Sequence, residues 1–324
     1  MKLSRFDMSP YNTKDRIDLE YISYINYIIG GIQMITVIFI MFIQILIFIL
    51  FYKNSEMTKS MPFKLMRHLG ITEIIQQVGH LISSFYSLFY DTPQNIFGTF
   101  IASILQTGYV CSIVFLFLLT LNRFDVIFNR TFLSSINRDK FFNVMIIINY
   151  LWGIILVIFF MLKEFRLYYS LYDYAWQYEA VDPSWKIAQT FENRFVISVL
   201  LICFIFYIII IGKIMYLRSY SSSGSLFSFT DLNLLLQGVL NFLVLVFLEL
   251  CWAILYKVLP SSKYTYTVIN YVYILSSGIN SILGIIFIRD IRIGIINMLC
   301  IGKNGRSTAE VKTIKIVTNK TQVN

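Results

Sequence analysis

Charge is what this 324-residue chain has least of: 14% of its residues are charged and 57% are hydrophobic, and its mean hydropathy is +0.69. A soluble domain carries roughly a quarter charged residues to cover its surface, so an ordinary water-soluble enzyme, a disordered chain and a coiled coil are excluded. Histidine is nearly absent, and His68 and His80 are too few for a histidine-ligated metal centre. The four cysteines, Cys111, Cys203, Cys251 and Cys300, lie within or at the end of apolar runs and none sits in a polar loop, which gives no basis for a disulfide framework. Pro10, Pro62, Pro93, Pro183 and Pro260 all fall outside the apolar centres, which predicts unbroken helices. That pattern, with no internal repeat, speaks against a transporter built from broken inverted halves. The net charge of +9 is scattered around the apolar segments instead of gathering on one face, so no nucleic-acid partner is expected. No cofactor is expected either, and the absence of a metal-ligand cluster or a nucleophile with a base argues against an enzyme.

What the chain does have is long apolar runs. A helix crossing the ~30 Å hydrocarbon core needs about 20 mostly apolar residues. Seven runs meet that length: 27–52, 65–90, 96–121, 141–161, 195–216, 232–255 and 264–288. They are rich in Ile, Phe and Val, yet in lipid each segment must satisfy its own backbone hydrogen bonds, so helix is expected. Continuous apolar stretches also exclude a barrel, whose strands would alternate. The fold class is therefore an all-α membrane protein: a seven-transmembrane helix bundle. No cleavage pattern follows the first run, which is expected to remain as an uncleaved signal anchor.

With an odd number of crossings the two ends lie on opposite sides. Placing the N-terminus outside puts seventeen of the 27 basic residues on the cytoplasmic side, including Lys53, Lys59, Lys64 and Arg67 of the first inner loop and seven beyond Ile288. The expected division is an extracellular segment 1–26, a transmembrane domain 27–288, an interfacial helix 289–300 and a cytoplasmic tail 301–324. The sequons at Asn129 and Asn319 then face the cytoplasm and are chance matches.

The third run ends Leu121-Asn122-Arg123-Phe124. Two readings stand: Arg123 snorkels to the interface, or it is a conformational lock that bonds neighbouring helices at rest and a partner's carbonyls when active. The triplet resembles the Asp-Arg-Tyr motif of rhodopsin-like G-protein-coupled receptors, and more closely the Asn-Arg-aromatic variant of nematode serpentine chemoreceptors, of class T, X or V type. The resemblance spans 27–300. It implies a chemosensory receptor at the plasma membrane that binds a small molecule in a transmembrane cavity and signals to a heterotrimeric G protein through Asn122, Arg123 and Asn280. Asn122 stands in place of the family's acid.

Glu73 lies in mid-membrane, where a carboxylate costs about 2.5–3.5 kcal/mol on insertion scales and is a functional candidate by default. It resembles the second-helix acid of the receptor family's ion pocket, with Ser112 and Asn280 as its partners; the other readings are a protonated acid bonded to a neighbouring helix, or a pair with His80. Trp152 resembles the fourth-helix tryptophan. Cys251-Trp252 resembles the Cys-Trp-x-Pro switch, but Ile254 replaces the proline, so Glu249 and Trp252 are read as cavity lining. Only Asn280 survives of the seventh-helix Asn-Pro-x-x-Tyr pattern. Ile291, Ile295 and Leu299 recur every four residues, which describes a short interfacial amphipathic helix. Cys300 stands where relatives are palmitoylated; an unmodified thiol is the other reading. The family's outer disulfide is missing: Gly98 lies near one expected site and 162–194 holds no cysteine.

The second outer loop carries Tyr168, Tyr169, Tyr172, Tyr174, Trp176, Tyr178 and Trp185. It is either a lid over the cavity or an interfacial aromatic belt. Leu105 occupies the place of the aspartate that anchors amines in related receptors. Gln106, Thr107 and Tyr109, with Glu249, Trp252 and Trp176, are the ligand candidates, and a small neutral or weakly polar molecule is the expected ligand. The serine-rich stretch 220–228 reads as a flexible third inner loop with phosphorylation sites or as a plain linker. An odorant-gated channel subunit, with its N-terminus inside, and a small membrane transporter are the alternatives.

Overall fold

Each apolar run folds as a helix because lipid offers its backbone no other partner. A computed structural model describes residues 13–54, 57, 59–89, 96–128, 137–179, 183–220, 229–252 and 263–300. The helices among them are α1 (Thr13–Lys53), α2 (Met61–Phe89), α3 (Ile96–Ile127), α4 (Arg138–Met161), α5 (Trp185–Tyr220), α6 (Phe229–Leu250), α7 (Lys263–Ser276), α8 (Ile279–Phe287) and α9 (Arg289–Cys300). The stretch 221–228, Ile254, both sequons and the tail 301–324 lie outside the described residues.

Five of these helices are long and apolar enough to cross a membrane, and α7 with α8 forms a sixth, bent span. The remaining crossing, α2, is more polar because it turns that polarity inward: Thr72, Glu73, Gln76, Gln77, His80, Ser83, Ser84 and Ser87 are all buried. On α4 the pattern is the reverse. Ile147, Leu151, Ile154 and Ile158 face outward at helical spacing, while Phe142, Ile146, Asn149, Gly153 and Leu156 face in. An apolar outer stripe of this length fits lipid and not water. Helix α3 is the hub. Beyond Phe100 none of its residues is exposed, and it packs against α2, α4 and α5. Gly108 permits this closeness, since a Cβ there would lie 2.9 Å from Gln76 Cγ and 3.1 Å from the Thr72 carbonyl.

The seventh span is not straight, contrary to the expectation from its lack of proline. It breaks at Ser277-Gly278 and bends by 48°. Adjacent serine and glycine weaken the helix there, and glutamines from two other helices satisfy the freed carbonyls. Gln77 donates to Ile274 O (3.3 Å) and to Ser277 Oγ, and Gln44 donates to Ser277 O (3.2 Å).

The loop between α4 and α5 contains a two-stranded antiparallel hairpin, β1 (Leu167–Ser170) and β2 (Ala175–Tyr178), which a purely helical reading did not include. Its turn is closed by Ser170 and Asp173, and its open end by Arg166, whose Nη2 donates to Glu179 Oε1 at 2.8 Å. The Glu179 carboxylate holds the Arg166 guanidinium above its ordinary pKa. At the other end of the chain, α9 packs Ile291 and Ile295 against α1 and α8, while Leu299 and the Cys300 thiol are exposed.

Candidate functional site

Three polar layers run down the inside of the bundle. The outer layer lies under the hairpin. Tyr169, Tyr174 and Trp176 turn inward and are buried, whereas Tyr168 and Tyr172 face out. Tyr169 shares a hydrogen bond with Ser87 (2.8 Å) and Tyr174 donates to Asn26, so the hairpin is tied to α2 and α1. Beneath it Gln106 and Tyr178 donate to the two oxygens of Glu192, and Tyr109 donates to Glu249. Burial and the nearby Glu192 carboxylate hold the Tyr178 phenol well above its usual pKa, so it stays the donor. The Tyr273 ring meets His80 at 4.8 Å and Tyr109 at 5.3 Å, both edge-on. Of the ligand candidates, Gln106, Tyr109 and Glu249 converge here. Trp176 packs on Tyr169 at 5.2 Å, and Trp252 packs at the edge of the same cluster. Thr107 turns instead toward Gly153 of α4.

The middle layer gathers on Asn280. Its side chain lies near Glu73, which accepts from Gln44 (3.3 Å), and Gln237 of α6 donates to Asn280 Oδ1 at 3.0 Å. Asn280 thus ties α6 to α8, beside Gln44 of α1 and Glu73 of α2. Gln44, Arg67, Gly70 and Asn280 also line a narrow cleft of about 10 Å³, room for about one water molecule. Ser112 does not join Glu73; its hydroxyl donates to Tyr109 O of its own helix at 2.7 Å. His80 does not pair with Glu73 either, because two helical turns separate them and its ring nitrogens have no hydrogen-bond partner.

The inner layer holds Arg123, only 7% exposed despite its charge. Its Nη1 lies 3.5 Å from Tyr207 Oη, which also accepts from Thr120 at 3.0 Å. The guanidinium rests in a niche on α6 that exists because residue 238 is glycine; a Cβ there would overlap Nη1 and lie 2.6 Å from Cζ. Asn122 accepts from Arg138 Nη2, and Arg138 pairs with Asp125 at 3.0 Å. The acid of this motif therefore sits three residues after Asn122 and holds the start of α4, not Arg123.

A family model for the serpentine type 7TM GPCR chemoreceptor Srt matches residues 1–308. The chain belongs to the Srt chemoreceptor family. Its fold is similar to that in the crystal structure of squid rhodopsin, with a TM-score of 0.68 at 12% identity over 88% of this chain and 89% of the other. No curated protein sequence matches it. This receptor is accordingly a multi-pass membrane protein of the GPCR type and not an enzyme. Among its described residues no group of three or more His, Cys, Asp or Glu is placed to hold a metal ion.

Several functional candidates escaped the sequence reading. Gln44 and Gln237 carried a faint signal as amides within apolar runs. Glu192 was placed in the outer loop because α5 was expected to begin at 195. Tyr207 and Gly238 had no signal, since only the packing of α5 and α6 against α3 gives them a role.

Proposed function

We propose that this Srt receptor sits in the plasma membrane with its N-terminus outside and its C-terminus in the cytoplasm. A small ligand binds in the outer layer, and the signal passes to a heterotrimeric G protein at the inner ends of α3, α5 and α6. The observation that carries this reading is the Arg123 niche. A buried guanidinium held by one phenol and one glycine gap is a poor structural element, because its own desolvation is barely compensated. It is a good latch, because moving α6 by the width of a side chain exposes it. A ligand that favours the displaced α6 shifts the population by its differential affinity for the two arrangements. Glu249 and Gln237 both lie on α6, so the outer and middle layers can bias the same helix. Cys300 at the end of α9 is the acylation site in this reading, and Asn280 with Glu73 is the coupling layer between ligand and latch. The test is a calcium or cAMP readout in cells expressing the receptor, challenged with volatile and water-soluble odorants. Arg123→Ala is expected to abolish the response at equal surface expression. An undiminished response in that variant overturns the coupling role.

A further inference from the structure

The two acids of the outer layer have no obvious reason to be there. Glu192 on α5 is buried to 9% exposure and Glu249 on α6 is half-buried. Their hydrogen bonds come from the neutral donors Gln106, Tyr178 and Tyr109. Neither forms an ion pair among the described residues, and Arg194, two residues after Glu192, is exposed on another face of α5. The carboxylates lie near enough to feel each other's charge. A buried carboxylate without a counter-charge is strongly disfavoured, and two near one another more so.

A second observation points the same way. Tyr273, 5% exposed, has a hydroxyl with no hydrogen-bond partner, and it lies within electrostatic reach of both Glu192 and Glu249. His80, fully buried at its edge, also has both ring nitrogens unpartnered. Buried polar groups are normally satisfied, so a phenol within electrostatic reach of two acids and bonded to nothing marks a place for a further group. That group must donate hydrogen bonds and carry positive charge. The aromatic walls of Tyr109, Tyr178 and Tyr273 favour a cation as well. The set is wrong for a metal ion, which would need at least three ligating side chains gathered together.

We infer that the cavity of this receptor recognises a protonated amine, its ammonium seated between Glu192 and Glu249 beside the Tyr273 hydroxyl and its apolar part lying toward Leu248 and Trp252. This rests on the reading of the outer layer as the ligand site. It also replaces the neutral ligand suggested by Leu105, because the anchoring acids come from α5 and α6 and not from α3.

The test uses the purified full-length receptor and no G protein, so its outcome is separate from that of the signalling assay. The thermal midpoint is measured with n-hexylamine, cyclohexylamine and 2-phenylethylamine at millimolar concentration, each against the alcohol of the same carbon skeleton, and with calcium chloride. The expected result is a dose-dependent rise with at least one amine and none with its alcohol. Glu192→Gln and Glu249→Gln should each weaken that amine's apparent affinity by at least about tenfold, as expected when one partner of a buried charge contact is lost. If a variant does not fold, the comparison of amine with alcohol on the wild type still decides. Equal stabilisation by alcohols, stabilisation by calcium alone, no effect of any amine, or undiminished amine binding in Glu192→Gln/Glu249→Gln would each overturn the assignment. A receptor that fails this test and still signals to a neutral odorant keeps its proposed function and loses only this ligand class.

Discussion

Gly238→Ala is the smallest change that tests the latch. The new Cβ would overlap Arg123 Nη1 and lie 2.7 Å from Tyr207 Oη, so the guanidinium must leave the niche. What is lost is one long hydrogen bond at 3.5 Å and the fit against α6. Hydrogen bonds to charged groups contribute about 1.5–3 kcal/mol when well formed, so at this length about 1 kcal/mol is the appropriate figure. Alanine also raises helix propensity over glycine by about 1 kcal/mol, so overall stability should change little. The loss falls on the resting arrangement alone, and 1 kcal/mol corresponds to about a fivefold shift in the resting-to-active ratio. Basal second-messenger level per receptor at the cell surface should therefore rise severalfold, with the thermal midpoint of the purified receptor near wild type. Unchanged basal signalling in a variant that reaches the surface and melts normally would refute the latch.

Three further outcomes follow from the same geometry. Asp125→Asn leaves the fully buried side chain in place but removes the charge facing Arg138. Because Arg138 is partly exposed, a loss of about 1–2 kcal/mol is expected, read as a lower thermal midpoint and as a less-than-additive loss when combined with Arg138→Ala, which also removes the bond to Asn122. Gln77→Leu strips an amide donor from the broken turn of the seventh span and leaves the Ile274 carbonyl with only the Ser277 hydroxyl at 2.8 Å, which should cost about 0.5–1.5 kcal/mol in thermal or chemical melting. Cys300→Ser should abolish thioester-linked acyl label on the receptor, measured by hydroxylamine-sensitive capture, while labelling that persists would place acylation elsewhere.

The seven crossings were legible because lipid leaves a long apolar segment no choice but to satisfy its own backbone. The polar face of α2 was legible in part: Glu73 stood out against its neighbours, and helical spacing carried Gln77 and His80 inward with it. The bend at Ser277-Gly278 was missed because proline is the loud signal for a break, and a Ser-Gly pair is a quiet one that needs Gln44 and Gln77 from other helices to stabilise it. Glu192 was misplaced because the first turns of α5 are too polar to look like membrane, yet the hairpin and α3 cover that acid. The niche at Gly238 was invisible for a deeper reason. Nothing local distinguishes a glycine that makes room for a guanidinium from one that merely packs, and the difference exists only once α6 meets α3.

The orientation of the chain in the bilayer underlies all of these roles, since Arg123 can reach a G protein only if the inner layer faces the cytoplasm. Epitope tags at both ends, stained before and after permeabilisation, measure it directly. The amino-terminal tag should stain on intact cells and the carboxyl-terminal tag only after permeabilisation. Staining of the carboxyl-terminal tag on intact cells, or of both tags from the same side, would contradict the account.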